Sequence, residues 1–184
     1  MAKIKTIAPP LSDDDVAGLK IGDAVLITGL LYTARDAAHK RLVELIDAGA
    51  GLPFDLEGQI IYYVGPTPAR PGNVVGSAGP TTSGRMDPYA PKLIEKGLKG
   101  MIGKGVRGKA VVDAMKRCKA VYFAATGGAA ALIAKSIKST EIVAYEELGA
   151  EAIRRLEVQN FPAIVAQDMY GANLYQEGVK LYCR

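Results

Sequence analysis

The chain has 184 residues, 49% hydrophobic and 23% charged, which supplies apolar material for a substantial core and excludes a disordered chain. Lysine and arginine outnumber aspartate and glutamate by 23 to 19, and a net charge of +4 is too small to mark a nucleic-acid binder. Two cysteines and one histidine exclude a disulfide framework, a four-thiolate cluster site and a multi-histidine zinc site built by this chain, so no metal is expected on it.

In chain order, no charged, apolar, cleavable leader pattern opens the sequence, and the first apolar run predicts a strand over Ala24–Thr28. A helical period follows over Ala34–Asp47. Its start, Thr33-Ala34-Arg35-Asp36, matches a capping box with Thr33 at the N-cap and Asp36 reaching back. Arg35 then falls in the first turn, where a cation opposes the helix dipole. Such an arginine is either a surface residue or, with the free N–H groups beside it, part of a grip on a carboxylate. His39 lies one turn further on and reads as solvated or supporting rather than catalytic, while Asp36 and Lys40 are spaced as an i,i+4 pair.

A strand is predicted over Gln59–Val64, then a Pro/Gly-rich connection over Gly65–Gly79. It leads into Gly79-Pro80-Thr81-Thr82-Ser83-Gly84-Arg85-Met86-Asp87. Three consecutive hydroxyls between glycines suit an anion-handling loop, because glycine permits close backbone approach and hydroxyls with free N–H groups can surround carboxylate or phosphate oxygens. Arg85, four residues beyond Thr81, adds a fork for a carboxylate. From Arg85 to Lys119, ten basic residues stand against Asp87, Glu95 and Asp113, a stretch that suits an acidic ligand or simply a solvated face. Tyr89 is its one aromatic residue, so the stacking platforms of single-strand recognition are missing and nucleic acid is not expected as a partner.

After a helix over Tyr89–Lys96 and a strand over Gly100–Ile102, Gly103-Lys104-Gly105-Val106-Arg107-Gly108 matches the GxGxxG spacing of a dinucleotide site. That site needs an acidic residue about 20 positions on to hold the ribose. The next predicted strand, Ala120–Ala125, runs instead into Thr126-Gly127-Gly128. A P-loop fails as well, because Gly105 stands where Ser or Thr is required. Lys104 makes better sense as a cation on a tight turn, able to neutralise a second carboxylate. Helices over Lys109–Arg117 and Ala129–Ser136 and strands over Ile142–Tyr145, Leu156–Val158 and Ala163–Ala166 complete the chain. The longest uncharged run, Ala120 to Ala134, has 15 residues against roughly 20 for a membrane span, so a cytoplasmic protein with no membrane partner is expected. Alternating strands and helices point to α/β, and closing strands without a long intervening helix favour a layered β/β/α domain over a doubly wound sheet, with residues 1–184 as one domain.

Thr33-Ala34-Arg35-Asp36-Ala37-Ala38-His39-Lys40, Tyr63-Val64-Gly65-Pro66, Gly79 through Asp87, Gly103-Lys104-Gly105 and Ala125-Thr126-Gly127-Gly128-Ala129-Ala130 together resemble the β subunit of the class I, iron-sulfur-dependent fumarate hydratase and L-tartrate dehydratase family. The motifs occur in family order across nearly the whole chain. The resemblance implies the swivelling β/β/α domain that forms the C-terminal part of single-chain members. It also implies a hydro-lyase acting on a dicarboxylate, most readily fumarate to (S)-malate, with a 4Fe–4S cluster as Lewis acid on the departing hydroxyl. The cluster's cysteines would belong to a partner α subunit, the family arrangement would be a heterotetramer, and this chain would be inactive alone. Carried onto this sequence, the family's catalytic threonine is Thr81 and its carboxylate-binding cations are Arg35, Arg85 and Lys104. Asp36, His39, Thr82, Ser83 and Asp87 are the supporting candidates, with Asp87 expected to orient Arg85 or cap the helix after it. A tartrate dehydratase β subunit and a non-catalytic anion-binding regulatory domain are the alternatives.

Overall fold

Residues 4–182 are described by a computed structural model, in which the apolar alternation of the sequence resolves into seven strands and six α-helices. The strands are β1 (Lys5–Ile7), β2 (Ala24–Thr33), β3 (Ile60–Tyr62), β4 (Gly100–Gly103), β5 (Val121–Ala124), β6 (Ile137–Ala144) and β7 (Ile153–Gln167). The helices are α1 (Asp13–Ala17), α2 (Asp36–Asp47), α3 (Ala90–Glu95), α4 (Lys109–Cys118), α5 (Ala130–Ser136) and α6 (Leu174–Tyr182). Strands β1 to β5 run parallel, each paired to the next. Antiparallel β7 pairs with β5, with β6 and along most of β2. Those pairings close β2, β3, β4, β5 and β7 into a ring with β1 and β6 at its margins, so the sheet is mixed and not doubly wound.

Strand alternation divides the core between two clusters, since successive side chains point to opposite faces. Ile60, Tyr62, Ile102, Val121 and Phe123 pack with Val25, Ile27, Leu156 and Phe161. Their neighbours Ile61, Tyr63, Met101 and Tyr122 face Ala38 and Leu42 of α2, Leu93 and Ile94 of α3 and Val111 and Met115 of α4. Each large side chain so buried contributes roughly 1.5–3 kcal/mol, and the second cluster fixes where α2 and α4 begin.

The structure lengthens and joins several predicted elements. β2 continues from Thr28 to Thr33 across a register break next to Gly29, whose φ is +129°. The two predicted strands Leu156–Val158 and Ala163–Ala166 are one, β7, which passes through Asn160 at φ 53° with its N–H on the Thr28 hydroxyl at 3.0 Å. α1 was not foreseen, although its Ser12 and Asp15 form a complete capping box. The capping box expected at Thr33 does not form. Thr33 ends β2, and its hydroxyl is used across the sheet, donating to the Ala152 carbonyl at 3.3 Å and accepting from the Arg154 N–H at 3.0 Å. Arg35 is itself the N-cap of α2, with no side-chain cap.

Candidate active site

Four parallel strands, β2 to β5, deliver their carboxyl ends to one edge of the molecule. Arg35 follows β2, where the Ala34 N–H reaches the Tyr62 carbonyl at 3.3 Å. Beyond β3, the connection loops out and returns so that the Thr81 N–H meets the Tyr63 carbonyl at 2.7 Å. Lys104 follows β4 and forms an isolated parallel bridge with Thr82, while its carbonyl accepts from the Ser83 N–H at 2.9 Å. Thr126 follows β5. Arg35, Thr81, Thr82, Arg85 and Lys104, separated by up to 69 positions in sequence, are thereby brought to the same end of the sheet.

Two glycines make that assembly possible. A Cβ at Gly103 would sit 1.9 Å from the Ser83 Oγ, so only glycine lets the hydroxyl loop lie against the end of β4. A Cβ at Gly65 would meet Arg35 Nη1 at 2.9 Å and the Ala150 carbonyl at 3.0 Å. The Arg35 side chain therefore crosses the backbone of Gly65.

The charges are partly committed. Arg35 Nη2 lies 3.1 Å from Glu151 Oε1, and Glu151 Oε2 accepts from the Ala37 N–H at 3.2 Å. In this structure the carboxylate beside Arg35 and the helix start is that of Glu151 of the chain itself. Arg35 Nε remains buried without a partner. Asp36 pairs with Arg85 rather than with Lys40. Lys104 is exposed and has no ion pair among the described residues. Thr81 is half-buried, Thr82 exposed, and neither hydroxyl has a hydrogen-bond partner among the described residues.

Three supporting candidates take other places than expected. Ser83 is fully buried and its Oγ lies 2.9 Å from the Tyr122 hydroxyl, so it points into the protein. Asp87 neither orients Arg85 nor caps α3. Its carboxylate accepts from Arg107 Nε at 2.7 Å and from the N–H of Gly108, the N-cap of α4, at 2.6 Å. His39 is fully buried, not solvated. Its Nδ1 lies 2.9 Å from the Arg35 carbonyl, which requires the Nδ1–H tautomer, and its ring meets Tyr63 edge-on at 5.2 Å. Burial first, assisted by the charge of Arg107 against the opposing Arg35 carbonyl, lowers the His39 pKa to about 4. His39 thus stays neutral at physiological pH and fastens the backbone of Arg35.

Arg107, Tyr122 and Glu151 were not singled out from sequence. Arg107 carries a signal only as part of a GxGxxG match that pointed elsewhere. Glu151 carries none, because its contacts bridge more than a hundred residues.

Among the described residues no group of three or more His, Cys, Asp and Glu is arranged to hold a metal. Cys118 ends α4, and its carbonyl accepts from Lys99 just before β4, at the amino ends of the strands and away from Thr81. Cys183 lies outside the described residues. No described helix is long and apolar enough to cross a membrane.

Fold and face together define a mixed α/β protein that presents cations and hydroxyls at the carboxyl ends of a parallel strand set. The chain belongs to the family described as the fumarase C-terminus, whose model matches residues 2–178. Among its relatives is an archaeal protein of Methanocaldococcus jannaschii named "Putative L(+)-tartrate dehydratase subunit beta", 42% identical over 173 residues that cover 91% of this chain and 89% of the relative. The anaerobic class I fumarate hydratase of Escherichia coli K12 is 44% identical over 159 residues, which cover 85% of this chain and 29% of that enzyme. The aerobic enzyme of the same strain is 43% identical over 153 residues, 82% of this chain and 28% of the enzyme. The chain therefore spans most of the first relative and under a third of these two class I hydratases. Those names are names of hydro-lyases.

Proposed function

We propose that this chain is the β subunit of an iron-sulfur hydro-lyase that interconverts fumarate and (S)-malate, with residues 1–184 forming one domain of the swivelling β/β/α type and working in the cytoplasm with an α subunit in a heterotetramer. The observation that carries the reading is the Thr81 hydroxyl, which has no partner among the described residues and lies at the strand ends that also carry Arg35, Arg85 and Lys104. Three cations and a hydroxyl at one end of the sheet suit a dianionic substrate that gains further negative charge as a proton leaves carbon, with the substrate's carboxylates competing with Glu151 and Asp36 for Arg35 and Arg85.

In this reading Arg35 and Arg85 hold the substrate carboxylates, with Lys104 neutralising the charge that builds up in the transition state. Thr81 takes the proton from the carbon next to a carboxylate. A threonine hydroxyl is a very weak base in water, so that role depends on nearby cations and backbone dipoles stabilising the alkoxide or on onward transfer of its proton. Asp36 restrains Arg85, His39 fixes Arg35, and Thr82 sits beside Lys104. The 4Fe–4S cluster is assigned to the partner, since this chain offers no thiolate set for it. An open face supports that assignment: Arg85 and Lys104 are solvent-exposed, so a second chain is needed to exclude water from the reaction.

Tartrate dehydratase is the second reading, favoured by the archaeal relative that this chain matches over 89% of its length. Anaerobic co-production with the large subunit, cluster reconstitution and assays on malate and tartrate test both. Turnover requiring both chains is expected, and the preferred dicarboxylate decides between them. A stable complex inactive on either acid would overturn the catalytic reading in favour of an anion-binding regulatory domain.

A further inference from the structure

Two of the three segments that carry the proposed substrate cations, those of Arg85 and Lys104, are joined beneath the surface by an ion pair. The Arg107 side chain is fully inaccessible. Its Nε donates to Asp87 Oδ1 at 2.7 Å, its Nη1 to the Tyr63 hydroxyl at 3.3 Å, and its guanidinium lies over the rings of Tyr63 and Tyr122, 5.2 Å from each centre. Asp87 stands two residues after Arg85, and Arg107 three after Lys104. The other Asp87 oxygen accepts from Gly108, closing the Lys104 turn at its far end. Tyr122 pins the middle of that turn, its hydroxyl donating to the Gly105 carbonyl at 2.9 Å.

A buried ion pair is a poor source of stability, because the desolvation cost cancels much of the attraction, and a better device for fixing one arrangement over its neighbours. This pair is not optimised for stability, since Arg107 Nη2 is buried without a partner among the described residues. Burial opposes the guanidinium charge, yet Tyr63 and Asp87 hold the Arg107 pKa above its usual value, so the guanidinium stays charged. Lying wholly under Tyr63 and Tyr122, Arg107 does not touch the open face.

We propose that Arg107, gripped by Asp87, is a positioning residue that sets Lys104 at its working distance from the Thr81–Arg85 loop. The inference rests on the hydro-lyase reading above. If Arg107 acts through Lys104, removing either should disable the same interaction, and their effects should not multiply.

The test is a double-mutant cycle in the assembled two-subunit enzyme, with kcat/KM normalised to assembled, cluster-loaded sites and the unfolding midpoint measured separately. Lys104→Met and Arg107→Met should each lower kcat/KM by on the order of a hundredfold, the cost of misplacing a group by about 1 Å. Adding Lys104→Met to Arg107→Met should then cost no more than about threefold. Asp87→Asn, which keeps the side chain's size and removes its charge, should behave like Arg107→Met, and Arg107→Lys should recover part of the loss; these two variants carry the test if Arg107→Met does not assemble. Multiplying losses, or a lowered unfolding midpoint with unchanged kcat/KM, would overturn the positioning role alone. An unchanged kcat/KM in Lys104→Met would instead overturn the site reading, and the inference with it.

Discussion

At the amino ends of the parallel strands Lys5, Lys99 and Lys119 are spent on the chain's own carboxylates, whereas at the carboxyl ends, where Arg35 pairs with Glu151 and Arg85 with Asp36, Lys104 is left without an ion pair among the described residues. Lys99 and Lys119 both bind Asp13 at 2.7 Å, and Lys5 binds Asp23 at 2.6 Å. Hydrogen bonds from Lys119 and Lys99 bring the Asp13 pKa down to about 2. At the other end, Lys104 has no ion pair among the described residues, and the hydroxyls of Thr81 and Thr82 have no partner there. The basic stretch from Arg85 to Lys119 is therefore not one surface. Seven of its ten cations form intramolecular ion pairs, several around α3 and α4 far from the hydroxyl loop. Charge density along a sequence does not distinguish cations already paired within the chain from those left uncompensated.

The contrast is sharpest for Thr81. Thr81→Ala should leave assembly intact and lower kcat by about 100- to 10,000-fold, the usual range for removing a general base, read in the assembled enzyme at saturating malate. Arg85→Lys should cost roughly 10- to 100-fold in kcat/KM, since it removes a charge-assisted hydrogen bond worth about 1.5–3 kcal/mol and the planar fork that a carboxylate prefers.

His39 gives a pH-dependent prediction. Its folded pKa of about 4 lies below the unfolded value of about 6.5, so the unfolded chain binds more protons between these limits. The stability it contributes is fully present above about pH 6.5 and is lost as pH falls towards 4, amounting to about 3 kcal/mol. Denaturant unfolding across that window should show the loss in the native chain and a shallower slope in His39→Gln. At the amino end, Lys119→Ala should leave kcat/KM unchanged and shift the unfolding midpoint only slightly, because exposed ion pairs contribute little. A large catalytic effect there would break the contrast between the two ends.

Periodicity made α2 and α4 legible, and the Pro/Gly punctuation marked the connection before Thr81. Strand ends were less legible because tertiary pairing overrode local signals: β2 outran its apolar run through pairing with β7, and Pro162 sits inside β7 opposite Leu26. The capping reading at Thr33 failed for a similar reason, as β7 offered its hydroxyl better partners than the helix start. Residue types told which side chains could bind a carboxylate, but not which were already engaged. The Glu151 contact with Arg35 and the Asp87 contact with Arg107 depend on chain segments that meet only in the fold.

Proton removal by Thr81 is most directly tested by hydrogen exchange. The assembled enzyme is incubated with malate in D2O, and deuterium at the carbon that loses its proton is read by NMR. The wild-type enzyme should incorporate solvent deuterium there, while Thr81→Ala, with its cluster and assembly verified, should incorporate almost none. Incorporation by Thr81→Ala at the wild-type rate would contradict the account.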